Sequence, residues 1–140
     1  MRTKLKNERG AALLETAITI PIILLICVGI FEFGRAYQTW QVLTNAAREG
    51  ARVAVISGST PDQIRAAVST YMTIGELPAP ADSQIVINQS VALPFGTGTQ
   101  VTVNYPFNFM VLNGVARMVR AGSSTGGPLT MTAQAVMRNE

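Results

Sequence analysis

The chain has 140 residues, of which 48% are hydrophobic and only 14% are charged. This composition is too apolar for a disordered chain and poorer in charge than an ordinary soluble domain, and the length favours one domain with an accessory segment. Because the chain has no histidine and one cysteine, a histidine-based catalytic triad, a His/Cys zinc site and an internal disulfide are excluded.

The excess positive charge is concentrated at the N-terminus. The formal net charge is +3, and the first ten residues account for all of it, because they hold Arg2, Lys4, Lys6 and Arg9 against Glu8. Nucleic-acid binders instead spread basic side chains along a surface that follows the phosphates. We therefore predict no nucleic-acid partner. We interpret the basic tip as a topology signal, with the N-terminus in the cytoplasm and the C-terminal part outside.

An apolar segment follows the basic tip. Residues 16–31 contain no charged side chain, but as a helix they would be only about 24 Å long, shorter than the roughly 30 Å hydrocarbon core. A helix over residues 11–33 would be about 34 Å long, which is enough to span a bilayer. That span places the carboxylate of Glu15 inside the bilayer, where it costs on the order of 3 kcal/mol unless it has a partner.

Three interpretations of this segment compete. A cleaved secretory signal peptide needs small residues after the apolar core, and the nearest candidate, residues 34–36, has an arginine in the middle. An uncleaved signal anchor explains the basic tip but leaves Glu15 without a partner. In the third interpretation the segment resembles a type IV pilin-like leader, with Gly10 before the apolar helix and Glu15 as the fifth residue after it. Cleavage after Gly10 would make Ala11 the new N-terminus and would remove the excess charge.

The N-terminal third of the chain resembles the TadE-like family, pilin-like proteins of tight-adherence (Tad/Flp) pilus systems. The matching residues are Arg9-Gly10-Ala11-Ala12, Glu15, Pro21, 32–36 and 45–52, and residues 132–140 resemble the family's usual ending. The resemblance implies that a prepilin peptidase cuts after Gly10 and that Glu15 pairs with the N-terminal amine of a neighbouring subunit. It also implies a role in pilus assembly, and hence in surface adhesion and biofilm formation. Major Flp pilins typically have tyrosine where Thr16 stands, so a minor pilin or pseudopilin is implied.

The resemblance also implies partners and a location. The partners are a prepilin peptidase, other pilin-like subunits (TadF-like and major Flp pilins), an inner-membrane assembly platform and the lipid bilayer. We expect a leader over 1–10, a transmembrane and assembly helix over 11–33 and a periplasmic head over 34–140, in a single-pass protein of the bacterial inner membrane. We predict no enzyme activity, no cofactor and no metal. The alternative function is an uncleaved, membrane-anchored periplasmic scaffold or binding module.

Two further features lie on the expected long helix. Pro21 removes a backbone hydrogen bond, which either is a tolerated kink or lets the segment unwind locally and bend into a filament. Glu32 and Arg35 stand three residues apart, so they can pair on one helix face as the helix leaves the membrane. We favour a solvated interfacial pair, which contributes little energy.

The rest of the pattern predicts an α+β, pilin-like fold. A helix of near 70 Å runs from about residue 11 to 56, with small residues that pack against the chain's own sheet. The segment Thr60-Pro61-Asp62-Gln63 predicts the start of a second helix that ends at Gly75 or at Leu77-Pro78. Strands are predicted over 84–92, 100–105 and 129–138, with a turn at 94–98, an ambiguous segment with a short helix in 107–120 and a loop at 121–128. The strands form one antiparallel sheet covered by the long helix.

Overall fold

The computed structural model describes residues 8–94, 96–119 and 127–139. Its helices and strands follow in the order α1 (Glu8–Ala54), α2 (Pro61–Ile74), β1 (Ile85–Leu93), β2 (Gly96–Phe107), α3 (Leu112–Val119) and β3 (Leu129–Arg138). The predicted α+β layout, with a long N-terminal helix, a second helix and a three-stranded antiparallel sheet, is confirmed. Residues 1–7 of the predicted leader and most of the loop predicted at 121–128 lie outside the described residues.

Helix α1 contains 47 residues, so it is about 70 Å long. Its first described residue, Glu8, lies inside the expected leader, and the helix ends at Ala54, slightly before the predicted end at residue 56. The helix stops there because a tight turn follows: the Ile56 N–H donates to the Val53 carbonyl (3.2 Å), and the Ser59 hydroxyl donates to the same oxygen (2.7 Å).

The start of α2 follows directly from four consecutive residues. The Gln63 N–H donates to the Thr60 side chain (3.3 Å), and the Thr60 N–H donates to the Gln63 side chain (3.0 Å). This reciprocal capping box, with Pro61 at the first helical position, satisfies backbone donors that no helical carbonyl can reach. The predicted start of the helix is confirmed, and of its two predicted ends the structure has the one at Gly75.

Strand β2 lies in the middle of the sheet, between β1 and β3. Val101 pairs with Ile87 on one side and with Ala135 on the other, and Val103 pairs with Ile85 and Ala133. The predicted turn at 94–98 was too wide. Gly96 pairs with Leu93, so only residues 94 and 95 connect the two strands.

A β-bulge changes which side chains of β1 face the core. Asn88 pairs with Gln100 and Val91 with Gly98, so β1 has one residue more than β2 between these pairs. Because side chains alternate along a strand, this extra residue moves Val91 to the sheet face opposite Ile85. Gln89, two positions after Ile87, is exposed.

The core lies between α1, α2 and one face of the sheet. Its buried members include Leu43, Ile64, Val68, Met72, Val101 and Val103. Small residues of α1, namely Ala46, Ala47, Gly50 and Ala51, are buried in this core. They were predicted to pack against the chain's own sheet, and at Gly50 both the sheet residue Val101 and the α2 residue Val68 lie close. Trp40, one turn before Leu43, is 47% exposed and lies outside the core.

Candidate membrane anchor and assembly helix

The N-terminal half of α1 is an apolar helix that the head does not cover. Every residue from 11 to 27 is exposed in the isolated chain. The exposed large apolar side chains are Leu13, Leu14, Ile18, Ile20, Ile22, Ile23, Leu24, Leu25, Ile26, Ile30, Phe31 and Phe33. By length and composition the helix can cross a membrane. So large a continuous apolar surface requires lipid or another protein chain to cover it.

The hydroxyl groups on this segment are satisfied within the helix. The Thr16 hydroxyl donates to the Ala12 carbonyl (2.8 Å), and the Thr19 hydroxyl donates to the Glu15 carbonyl (2.7 Å). Neither hydroxyl therefore opposes transfer of the helix into lipid, where polar groups must find partners inside the protein. The side chain of Glu15 is different, because it is exposed and makes no ion pair with any side chain that the structure describes.

The other predicted residues of this segment lie within the same continuous helix. Gly10 and Ala11 fall in its first turn, and cleavage between them stays a prediction. Pro21 lies inside α1, which continues on both sides of it. Because proline has no N–H, the Ala17 carbonyl receives no helical hydrogen bond from that position. A kink or a local unwinding at Pro21 also stays a prediction.

Glu32 and Arg35 form an ion pair, with the Arg35 Nη2 atom 3.0 Å from the Glu32 Oε2 atom. The surroundings differ from the solvated pair that the sequence favoured, because Glu32 is only 1% exposed. The backbone N–H of Val111 donates to the other carboxylate oxygen of Glu32 (2.6 Å), and Arg35 also donates to the Asn108 carbonyl (2.5 Å). The pair thus attaches the segment between β2 and α3 to the middle of α1.

Aromatic rings reinforce this attachment. The Arg35 guanidinium lies 4.6 Å from the centroid of the Phe107 ring, which is within the range of a cation–π interaction. Phe107 meets Phe109 edge to face (5.1 Å between centroids), and Phe109 meets Phe33 at 5.9 Å. Sequence reasoning missed Phe107, Phe109 and Val111, because contacts across more than 70 positions leave no local signal.

Within the described residues, no group of three His, Cys, Asp or Glu side chains could hold a metal ion. A distinctive surface of the described residues is the exposed apolar part of α1, which has Glu15 near one end and the Glu32–Arg35 pair near the other. Such a surface binds lipid or other helices.

A comparison with known protein families gives a match within this same helix, α1. Residues 10–52 match the family model described as TadE-like protein. The match confirms the resemblance predicted for this part of the chain; it covers α1 and neither α2 nor the sheet. No curated protein and no solved structure matches the chain. The TadE-like match and the long apolar helix, the one candidate membrane span among the described residues, together indicate a membrane-anchored, pilin-like protein associated with a Tad pilus.

Proposed function

We propose that this chain is a TadE-like minor pilin or pseudopilin that takes part in assembling a Tad/Flp pilus for surface adhesion. One observation carries the proposal: the TadE-like match falls on the helix whose apolar side chains the folded head leaves uncovered. Residues 11–33 anchor the protein in the inner membrane with the head, residues 34–140, outside. In assembly, other pilin-like subunits replace lipid along this helix.

Processing after Gly10 prepares the helix for this exchange. A prepilin peptidase removes residues 1–10 and with them the whole excess of +3 charge. The new N-terminus at Ala11 is an ammonium group at the membrane surface. The basic tip that fixed the orientation during insertion is then gone, so it no longer holds the helix in the membrane.

The exposed carboxylate of Glu15 supplies a driving force for packing between subunits. In the bilayer it costs on the order of 3 kcal/mol while it is unmatched. A neighbouring subunit whose N-terminal ammonium reaches Glu15 offsets this cost, because a buried charge with a partner is far less unfavourable than one alone. The packed state is therefore preferred over the isolated helix in lipid.

The test is the intact mass and the N-terminal peptide of the protein, taken from washed membranes and from sheared surface filaments. We expect a chain that starts at Ala11, and its presence in filaments identifies a minor pilin. The Gly10→Leu variant should keep its leader, whereas the control Gly29→Leu, at a helical glycine with open space around it, should be processed normally. A wild-type chain that keeps its leader would contradict the proposal and favour an uncleaved, anchored scaffold.

Glu15→Ala tests the pairing separately from processing. We expect the variant to be cut after Gly10 but to enter assemblies with other pilin-like subunits poorly, as measured by co-purification from membranes. Glu49→Ala is the control, because Glu49 pairs with Arg52 outside the apolar segment. Equal recovery of Glu15→Ala and wild type would show that charge pairing does not drive assembly.

A further inference from the structure

The segment between β2 and α3 is held beside the end of the expected membrane span. Val111 donates its backbone N–H to Glu32 (2.6 Å), and Phe109 packs against Phe33 (5.9 Å between ring centroids). Both contacts are made to the last two residues of the 11–33 span. A segment of the head that is far from α1 in sequence therefore contacts the end of the expected membrane span.

This segment exposes the polar side chain of Asn108 at its start and two apolar side chains after it. Met110 is 71% exposed and Val111 is 46% exposed, although both follow a buried strand end. No charged residue occurs from position 105 to 116, and α3 is an amphipathic helix that begins directly after these residues. Exposed apolar side chains next to a hydrophobic span are typical of elements that lie in the membrane interface.

The contact to Glu32 explains why such an element is needed. A carboxylate at the last turn of a span faces the edge of the hydrocarbon, where an unmatched charge is costly. The Val111 amide and the Arg35 guanidinium satisfy both oxygens and leave Glu32 1% exposed. The segment that covers the carboxylate must itself face the surroundings, and within residues 109–112 the exposed side chains are those of Met110 and Val111.

We propose that residues 109–112, with the start of α3, form a second membrane contact that lies in the outer interface of the bilayer beside α1. The continuity of the apolar surface, from Ile30 and Phe33 on the span to Met110, identifies lipid as the occupant. This inference rests on the membrane insertion of α1 in the proposed function. It adds that the head contacts the bilayer directly, in addition to its connection to the bilayer through α1.

The test uses the full chain with Cys27→Ala, which removes its sole cysteine, reconstituted in vesicles of phosphatidylcholine with a minority of phosphatidylglycerol. Single cysteines replace Met110, Ile30 in the span, or Ser57 beyond the far end of α1, and each carries an environment-sensitive fluorophore. All three side chains are exposed in the isolated chain, so the fold should tolerate the label. Quenching by aqueous iodide is compared with quenching by lipids that carry a nitroxide near the headgroup.

We expect the label at Met110 to show blue-shifted emission, quenching by the nitroxide lipid and loss of iodide quenching, while the label at Ser57 stays accessible to iodide. A Met110 label that behaves like the Ser57 label, with the Ile30 label quenched by lipid, would overturn this inference and leave membrane anchoring intact. An Ile30 label open to iodide would refute anchoring itself. Shielding of Met110 that disappears when the protein is diluted in lipid would identify a second copy as the occupant and would also overturn the inference.

Discussion

Gly50 is a position at which α1 packs closely against both α2 and the sheet. A Cβ atom at this residue would lie 2.6 Å from a methyl carbon of Val68 on α2 and 3.2 Å from a methyl carbon of Val101 on β2. Carbon atoms pack best at about 3.5–4.0 Å, so the first contact is too short by roughly 1 Å. Both neighbours are fully buried and β-branched, and their stiff side chains cannot turn away easily.

We therefore expect Gly50→Ala to destabilise the head despite the better helix propensity of alanine. Overpacking of a core costs about 1–3 kcal/mol, whereas alanine in place of glycine in a helix gains about 1 kcal/mol. The matched control is Gly34→Ala in the same helix, where nothing lies within 4 Å of the new Cβ. Because the propensity term is common to both variants, the difference between them isolates the packing cost, about 1–3 kcal/mol.

Hydrogen exchange of the β2 amides, measured by mass spectrometry on the full chain in detergent micelles, reports this difference. Exchange in Gly50→Ala should be about 5- to 150-fold faster than in Gly34→Ala if these amides exchange through opening of the whole head. Val68→Ala removes the closest methyl group, so Gly50→Ala should cost less in that background. Equal exchange in the two glycine variants, or an unchanged cost in the Val68→Ala background, would refute the reasoning.

Two further predictions concern the ends of α1 and α2. Thr60→Ala should lower the free energy of unfolding of the head by about 1 kcal/mol because it removes the N-cap, whereas Thr70→Ala, at an exposed position of the same helix, should change it by less than about 0.5 kcal/mol. The hydrogen bonds from Arg52 hold the pKa of Glu49 below its usual value of 4.5. The pair therefore stabilises the head fully at a pH above 4.5, and this contribution is lost as the pH falls through the lowered pKa. The free energy of unfolding of Glu49→Gln, measured by chemical unfolding, should therefore fall less steeply on acidification than that of wild type. The same dependence on acidic pH in both proteins would show that the pair contributes nothing. The effect should be small, because the Arg52 side chain is 59% exposed.

Elements with strong local signals were predictable from the sequence. The start of α2 depends on four adjacent residues, Thr60 to Gln63, whose side chains and backbone satisfy one another without help from the rest of the chain. Strand β3 occupies the predicted residues, 129–138, because an alternating segment follows a glycine- and serine-rich stretch. Helix α1 was predictable because an uncharged apolar run continues into a stripe of small residues.

Features that depend on distant partners were not predictable. The start of β2 at Gly96 is fixed by its pairing with Leu93, while glycine and proline residues alone suggested a wider turn. The burial of Glu32 depends on the backbone of Val111, which is 79 positions away. For the same reason the ion pair with Arg35 was expected to be solvated: the sequence shows the spacing of two charges and not what covers them.

The absence of a break in α1 has a mechanical consequence. The helix that carries the exposed apolar residues also supplies Leu43, Ala46 and Ala47 to the core of the head. The tilt of the helix in its surroundings therefore sets the orientation of the head, because no linker lies between them. From Pro21 onward, a force applied along the helix reaches the packed core through consecutive helical hydrogen bonds, so this part of the helix and the head move together.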